Sequence, residues 1–203
     1  MINRNKRIEI CGGIASGKTT LATLLSKSGL EAIYESFESN PFWQEFYSNP
    51  VKYAYETEIT FTLQHYHQIK KQPATNKPLA CDYSFLLDIA YAEMGLQGSQ
   101  LATFRTVYEE IQKELPPPAL IIHLQCDPAI ELARIRARGR EVEKAITIDF
   151  LRCLNDAVLV QINKARGHVP ILTIDSVKDN FADDEKVKRR MVQLVTTAIQ
   201  QDK

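Results

Sequence analysis

The sequence has no charge imbalance: across 203 residues, Lys and Arg number 25, Asp and Glu number 25, and the formal net charge is zero. Charge alone therefore gives no reason to expect a nucleic-acid polymer or a membrane as partner. Long apolar runs are missing too. The amino terminus, MINRNKRIEI, carries positive charges but passes straight into a strand-like segment, without the apolar stretch of a signal peptide or a bilayer span. A soluble, cytoplasmic protein acting on small molecules is the expectation. No C-x-x-C pair occurs: Cys11, Cys81, Cys126 and Cys153 stand far apart, with no histidine at metal-ligand spacing. Buried reduced thiols are expected in place of a disulfide framework or a zinc site. Repeats, low-complexity tracts and linkers are also absent, so residues 1–203 read as one domain.

What is present is an alternation of short apolar runs with longer helical patterns, the signature of a parallel sheet wrapped by helices. Strands are predicted at Arg7 to Cys11, Glu31 to Glu35, Leu79 to Asp82, Ala119 to Gln125 and Pro170 to Ile174. In an open parallel sheet the ligand crevice lies at the carboxyl ends of the strands, which gathers Gly12, Glu35, Asp82, Asp127 and Asp175 at one edge. Asn40-Pro41 and Asp127-Pro128 each place a capping side chain before a proline at a helix start. Pro116 to Pro118 stops the helix before the fourth strand, and the charged segment Asp183 to Arg190 reads as a solvated helix face.

Gly12-Gly13-Ile14-Ala15-Ser16-Gly17-Lys18-Thr19 fits G-x-x-x-x-G-K-[ST], after a strand and before a helix predicted over Thr20 to Ser28. Glycines let the backbone turn its N–H groups inward, and the helix N-terminus adds positive potential. Lys18 is suited to the β/γ-phosphates, and Thr19 offers a hydroxyl to Mg²⁺. The expectation is a three-layer α/β fold of the phosphate-loop type, with a five-stranded parallel sheet, binding a nucleoside triphosphate through residues 12 to 20, Thr20 included. The base-reading N-K-x-D of GTPases does not occur. A small-molecule kinase is the surviving class.

YESFESNPFWQEFYSNP, Tyr34 to Pro50, resembles the E-P-V-x-x-N-P-[FY]-L-x-x-F-Y of deoxynucleoside kinases. FTLQHY, Phe61 to Tyr66, is similar to that family's F-T-F-Q-T-Y. LACDYSFLLD, Leu79 to Asp88, occupies the place of its E-R-S-x-x-x-D, and RIRARGREVEKAITIDFL, Arg134 to Leu151, looks like its arginine-rich lid, here residues 134–146. DSVKDNF, Asp175 to Phe181, resembles the loop laid over the donor adenine.

The resemblance implies ATP as phosphate donor, Mg²⁺, a deoxyribonucleoside acceptor and a homodimer. It assigns Glu35 as general base on the acceptor hydroxyl, with Lys18, Arg134 and Arg138 as catalytic cations. Thr19 and Asp82 are expected at the metal. Arg138, Arg140, Asp175, Asp179 and Phe181 are expected around ATP. Gln64, Tyr53, Lys71, Asp82, Tyr83, Asp88 and Glu143 are expected around the acceptor, with Phe42 and Trp43 as apolar surface. An acid at position 88 favours a base with an exocyclic amino group, so thymidine is the least expected acceptor; among the others, purine nucleosides (dA or dG) are expected ahead of dC.

The chain departs from the pattern most at Tyr83, where the family has the arginine of E-R-S. Tyrosine carries no positive charge near neutral pH, so Lys70, Lys71 or a lid arginine is expected to compensate. Ser36, Gly13 and Asp82 replace a proline, an asparagine and a glutamate. Two alternatives stay open: a nucleotide-binding relative with impaired catalysis and a regulatory role, or a kinase of a nucleoside monophosphate.

Overall fold

The computed structural model describes residues 6–73 and 75–200. Met1 to Asn5, the start of the amino-terminal segment discussed above, lie outside that range. Five parallel strands form one sheet: β1 (Arg7–Gly12), β2 (Glu31–Ile33), β3 (Leu79–Cys81), β4 (Leu120–Gln125) and β5 (Ile171–Asp175), in the order β2-β3-β1-β4-β5. All five strands fall where sequence pattern places them, with ends shifted by one or two residues. β1 sits at the centre and is buried along its whole length, with Ile8 and Ile10 on one face and the Arg7–Glu9 ion pair and Cys11 on the other. Ile8 pairs with Ala80 of β3 on one side and with Leu120 of β4 on the other.

Helices cover both faces. Against one, α1 (Lys18–Lys27) and α8 (Glu185–Gln200) bury Leu21, Leu25, Met191 and Val195 on Ile8, Ile10, Ile122 and Leu124. Asp183 to Arg190 is largely exposed and leads into α8, as its charge pattern indicates. On the other face, α4 (Phe85–Gly95), α6 (Pro128–Arg138) and α7 (Ile148–Ala165) bring Leu87, Ile135, Leu151, Leu154 and Val158 onto Cys11 and Ile121. Fully burying one such side chain contributes about 1.5–3 kcal/mol. The remaining helices are α2 (Trp43–Ser48), α3 (Pro50–Lys71) and α5 (Gly98–Glu114).

Asp127 caps α6 as expected, its side chain accepting from Ala129 N–H with Pro128 at the first turn. Asn40 does not start a helix: Phe42 precedes α2, and the Asn40 side chain instead accepts from Phe42 N–H and donates to the Thr57 carbonyl. The Asn-Pro pair that does open a helix is Asn49-Pro50, where Asn49 accepts from Lys52 N–H at the start of α3. Both pairs carry the same local signal, and only packing against α3 separates them. All four cysteines are free thiols, but only Cys11 and Cys81 are buried; Cys126 is half-buried and Cys153 exposed. Cys153 lies outside any strand, on the outer side of α7.

Candidate active site

β1 runs into the phosphate loop, which turns through left-handed backbone at Ala15 (φ 60°) and Gly17 (φ 108°) before α1 begins at Lys18. A side chain at Gly17 would also meet the Phe181 ring at 3.2 Å. Lys18 Nζ folds back on the loop, donating to the carbonyls of Gly12 (3.0 Å) and Gly13 (2.8 Å). Thr19 Oγ1 donates to Asp82 Oδ2 at 2.9 Å, and Asp82 Oδ1 accepts from the Glu35 N–H at 2.5 Å. The ends of β1, β2 and β3 thereby meet through one carboxylate. Burial pushes Asp82 above the ordinary carboxylate range, and these two donors oppose the rise.

Beside the loop opens a cavity of about 400 Å³ lined by Lys18, Thr19, Glu35, Asp82, Asp88, Arg138, Arg140 and Glu143, with Phe37, Trp43, Phe46, Tyr47, Phe61 and Tyr91 as aromatic wall. Glu35 faces it. Burial works to raise this carboxyl, but His65, Lys18 and Arg140 outweigh it and hold Glu35 below its ordinary value. Ionised Glu35 next to a phosphate loop is suited to take a proton from a substrate hydroxyl.

The lid carries α6 to its end at Gly139, in left-handed conformation, and continues as a 3-10 turn over Glu141–Ala145. Arg138 binds both carboxylate oxygens of Glu143 at 2.6 Å, and Arg140 reaches the same group at 3.3 Å while stacking over Phe37 at 4.2 Å. Glu143 thus organises the lid cations at the cavity mouth; the exposed pair Glu141–Lys144 takes no part. Arg134 turns elsewhere: it donates to the carbonyls of Ala15 and Ser176 and lies outside the cavity wall. It clamps the phosphate loop from behind and does not share a destination with Arg138.

Several assigned residues fall away from the cavity. α3 turns Thr57, Glu58 and Phe61 toward it, whereas Gln64 points aside and donates to the Ser39 carbonyl. Tyr53 lies under the Lys52 ammonium, off the cavity wall, and Lys71 is exposed at the end of α3. Phe42 caps α2 while its neighbour Trp43 lines the cavity. Asp175 caps its own loop by accepting from Val177 and Lys178 N–H, and Asp179 pairs with Arg190. Phe181 is core, packed under Gly17. Tyr83 is buried and does not line the cavity.

Two residues that pattern reading passed over belong to the site. Glu58 is buried in the cavity wall, and burial with the nearby charges of Asp88 and Glu35 raises its carboxyl well above the ordinary value. His65 is almost fully buried: its Nδ1 lies 3.0 Å from Asp88 Oδ2, and its Nε2 is 3.4 Å from Glu35 Oε1. The signal for both is helical spacing, since 58, 61 and 65 recur on one face, whereas the likeness of FTLQHY to the family motif points to its glutamine. The side chain beside Glu35 is His65, with the lid's Arg140 acting on Glu35 from further off, whereas Lys70 pairs with Glu114 on the surface.

The family model described as Deoxynucleoside kinase matches residues 8–200. The chain belongs to the deoxynucleoside kinase family. Among relatives, a deoxyguanosine kinase of Bacillus subtilis (strain 168) is 30% identical over 93% of this chain and 97% of that protein. A deoxyadenosine kinase of Dictyostelium discoideum is 27% identical over 89% of this chain and 75% of the relative. The structure of deoxyadenosine kinase from M. mycoides with bound dCTP superposes with a TM-score of 0.79, covering 96% of this chain and 99% of that one at 20% identity, and shares the fold. As a deoxynucleoside kinase the chain is a phosphotransferase using a nucleoside triphosphate, and its phosphate loop, Glu35, Asp82 and lid occur together at one cavity. Among the described helices none is long and apolar enough to cross a membrane.

Proposed function

We propose that this kinase transfers the γ-phosphoryl group of ATP to the 5′-hydroxyl of a deoxyribonucleoside, with deoxyguanosine or deoxyadenosine favoured over deoxycytidine. The observation that carries the reading is the chain Thr19–Asp82–Glu35, which ties the phosphate loop to an ionised base over distances of 2.9 and 2.5 Å. Glu35 accepts the hydroxyl proton as that oxygen forms its bond to the γ-phosphorus, and the bond from phosphorus to the ADP oxygen breaks. Lys18 exchanges its two loop carbonyls for phosphate oxygens. Arg138 and Arg140 face the same space from the lid and neutralise charge on the transferred group.

The donors at Thr19 and Asp82, a hydroxyl and a carboxylate, suit Mg²⁺, which is commonly held by one or two protein oxygens and the substrate phosphates. No group of three or more His, Cys, Asp or Glu gathers as a metal site among the described residues. Bound there, the ion would withdraw charge from the phosphates.

Purine preference is supported by the deoxyguanosine and deoxyadenosine kinases among the relatives. Asp88 contributes less to base reading than its position suggests, because both its oxygens face His65. Glu58, whose carboxyl burial pushes well above its ordinary value, and the Tyr47 and Tyr91 hydroxyls are the cavity groups suited to donate and accept toward a base edge. Gln64, Tyr53 and Lys71 have no part in this proposal. A single catalytic domain over residues 1–203 and a cytoplasmic setting are carried into it from the sequence reading, and a homodimer from the family resemblance. The test is turnover with Mg-ATP and each of the four deoxyribonucleosides. Formation of deoxyguanosine or deoxyadenosine 5′-monophosphate fastest is expected, and no monophosphate from any nucleoside overturns the reading.

A further inference from the structure

His65 has a carboxylate at each ring nitrogen: Asp88 at Nδ1, 3.0 and 3.1 Å away, and Glu35 at Nε2, 3.4 Å away. A neutral imidazole has one N–H and one lone pair, so it would turn that lone pair against one of these carboxylates. A doubly protonated ring turns an N–H toward each side, hydrogen-bonded to Asp88 and within ion-pair distance of Glu35, where Nε2 makes no hydrogen bond. The third support is Tyr83, whose ring stacks on the imidazole with centroids 3.9 Å apart and planes 8° from parallel, and whose hydroxyl donates to the His65 carbonyl at 3.3 Å. Tyr83 stands where the family resemblance expects a guanidinium.

We propose that His65 supplies the positive charge at Glu35 that the expected arginine would have supplied, with Asp88 and Tyr83 holding its ring in place. His65 is then a positioning residue: its Nε2 stands 3.4 Å from one Glu35 carboxylate oxygen, leaving the other for the acceptor hydroxyl. This rests on the reading of Glu35 as the base. The groups facing the ring agree with it. Asp88 comes from α4, Glu35 from the segment after β2, Glu58 from α3 itself and Tyr83 from the segment after β3, with Lys18 and Arg140 acting on Glu35 from beyond. Burial works to lower the imidazole, but Asp88 and Glu35 outweigh it and push His65 up to about 10. Position 83 therefore does not mark decayed catalysis. The charge has moved from the third strand's end to α3.

Two measurements test this on the full chain. The first is ¹⁵N NMR of the wild-type protein, which reads His65 without any turnover. Both ring nitrogens are expected to stay protonated from about pH 6 to about pH 9, whereas a ring titrating near the ordinary value of about 6.5 overturns the proposal. The second is kinetic. His65→Gln is expected to lower kcat about 10²-fold, by analogy with loss of one preorganised donor, with nucleoside KM changed less than about 3-fold. His65→Arg, or the double variant His65→Gln/Tyr83→Arg, is expected to recover at least about 10-fold of that loss. Full activity in His65→Gln, or no recovery in either charge-bearing variant, overturns the proposal. A wild-type chain that phosphorylates no nucleoside sinks the kinase reading instead, and the NMR result still reports the histidine.

Discussion

The Asp82 carboxylate joins the Thr19 hydroxyl to the Glu35 backbone, one oxygen to each, at 2.9 and 2.5 Å. One side chain thus sets both the phosphate-binding end and the proton-accepting end of the site. Asp82→Asn replaces one of those acceptor oxygens with an NH₂ group. The expected outcome is a fall in kcat of about 10²-fold or more, with a raised Mg²⁺ requirement, read from turnover over a Mg²⁺ titration. Unchanged Mg²⁺ dependence would remove Asp82 from the metal.

Glu35→Gln keeps the shape of the base and removes its charge. Turnover is expected to fall by about 10² or more while ATP affinity, measured by calorimetry, stays nearly intact. A variant with wild-type kcat would show that the proton leaves by another route.

Glu131 gives a pH prediction for stability. It is fully buried, with Oε2 accepting from Asn155, and burial above all raises its carboxyl to about 7 from 4.5. Its folded value is above its unfolded one, so the stability it contributes is present below about pH 4.5 and is lost as pH rises through about 7. Glu131→Gln is therefore expected to raise stability at pH 8 by about 1–3 kcal/mol and to flatten denaturation midpoints across that interval. Midpoints that follow the wild-type pH curve would count against a protonated Glu131.

Glu143 is buried between guanidinium groups that are themselves partly exposed. Glu143→Ala is expected to cost about 1–2 kcal/mol of stability, below the loss for a fully buried pair because solvent screens the arginines. The same change disorders Arg138 and Arg140, so KM for ATP should rise together with the loss of kcat. A stability loss with normal kinetics would assign Glu143 to folding alone.

Much of this molecule was legible in the sequence. The five strands alternate with helices strongly enough that apolar periodicity finds them, and the phosphate loop is fixed by backbone geometry that few residue types satisfy. Glu35 and Asp82 are strand-end residues, so topology alone carries them to the crevice. The expected residues that fall outside the cavity lie mostly on α3 and in the loop after β5, with Arg134 on α6 and Tyr83 after β3. Whether position 64 of a long helix faces a cavity depends on the helix's rotation against its neighbours, which motif spacing does not carry. Likewise Asp175 and Asp179 satisfy local partners, and only packing decides that Phe181 enters the core. Gly13, read as a minor departure from asparagine, has a clear cause: a side chain there would meet Asn155 Oδ1 and Glu131 Oε1, each at 2.3 Å.

That crowding yields a last prediction. Gly13→Ala is expected to destabilise the chain by about 1–3 kcal/mol, as overpacking does, and to weaken ATP binding. Asn155→Ala opens the space and should restore part of the loss, so the two changes together cost less than their sum. Strict additivity in chemical denaturation would mean the loop accommodates the methyl group by moving elsewhere.

The strand order β2-β3-β1-β4-β5 also constrains how the kinase comes into being on the ribosome. β1, made first, finds no sheet partner until β3 emerges, because β2 pairs with β3 and not with β1. The nascent chain therefore holds Ile8 and Ile10 unpaired through the synthesis of three helices, and parallel pairing between distant segments is intrinsically slow. The catalytic carboxylates come together only when β3 docks, and the lid arginines join them later still. Phosphoryl-transfer competence thus waits for the lid, and a chain stalled before it would have its base in place but lack Arg138 and Arg140.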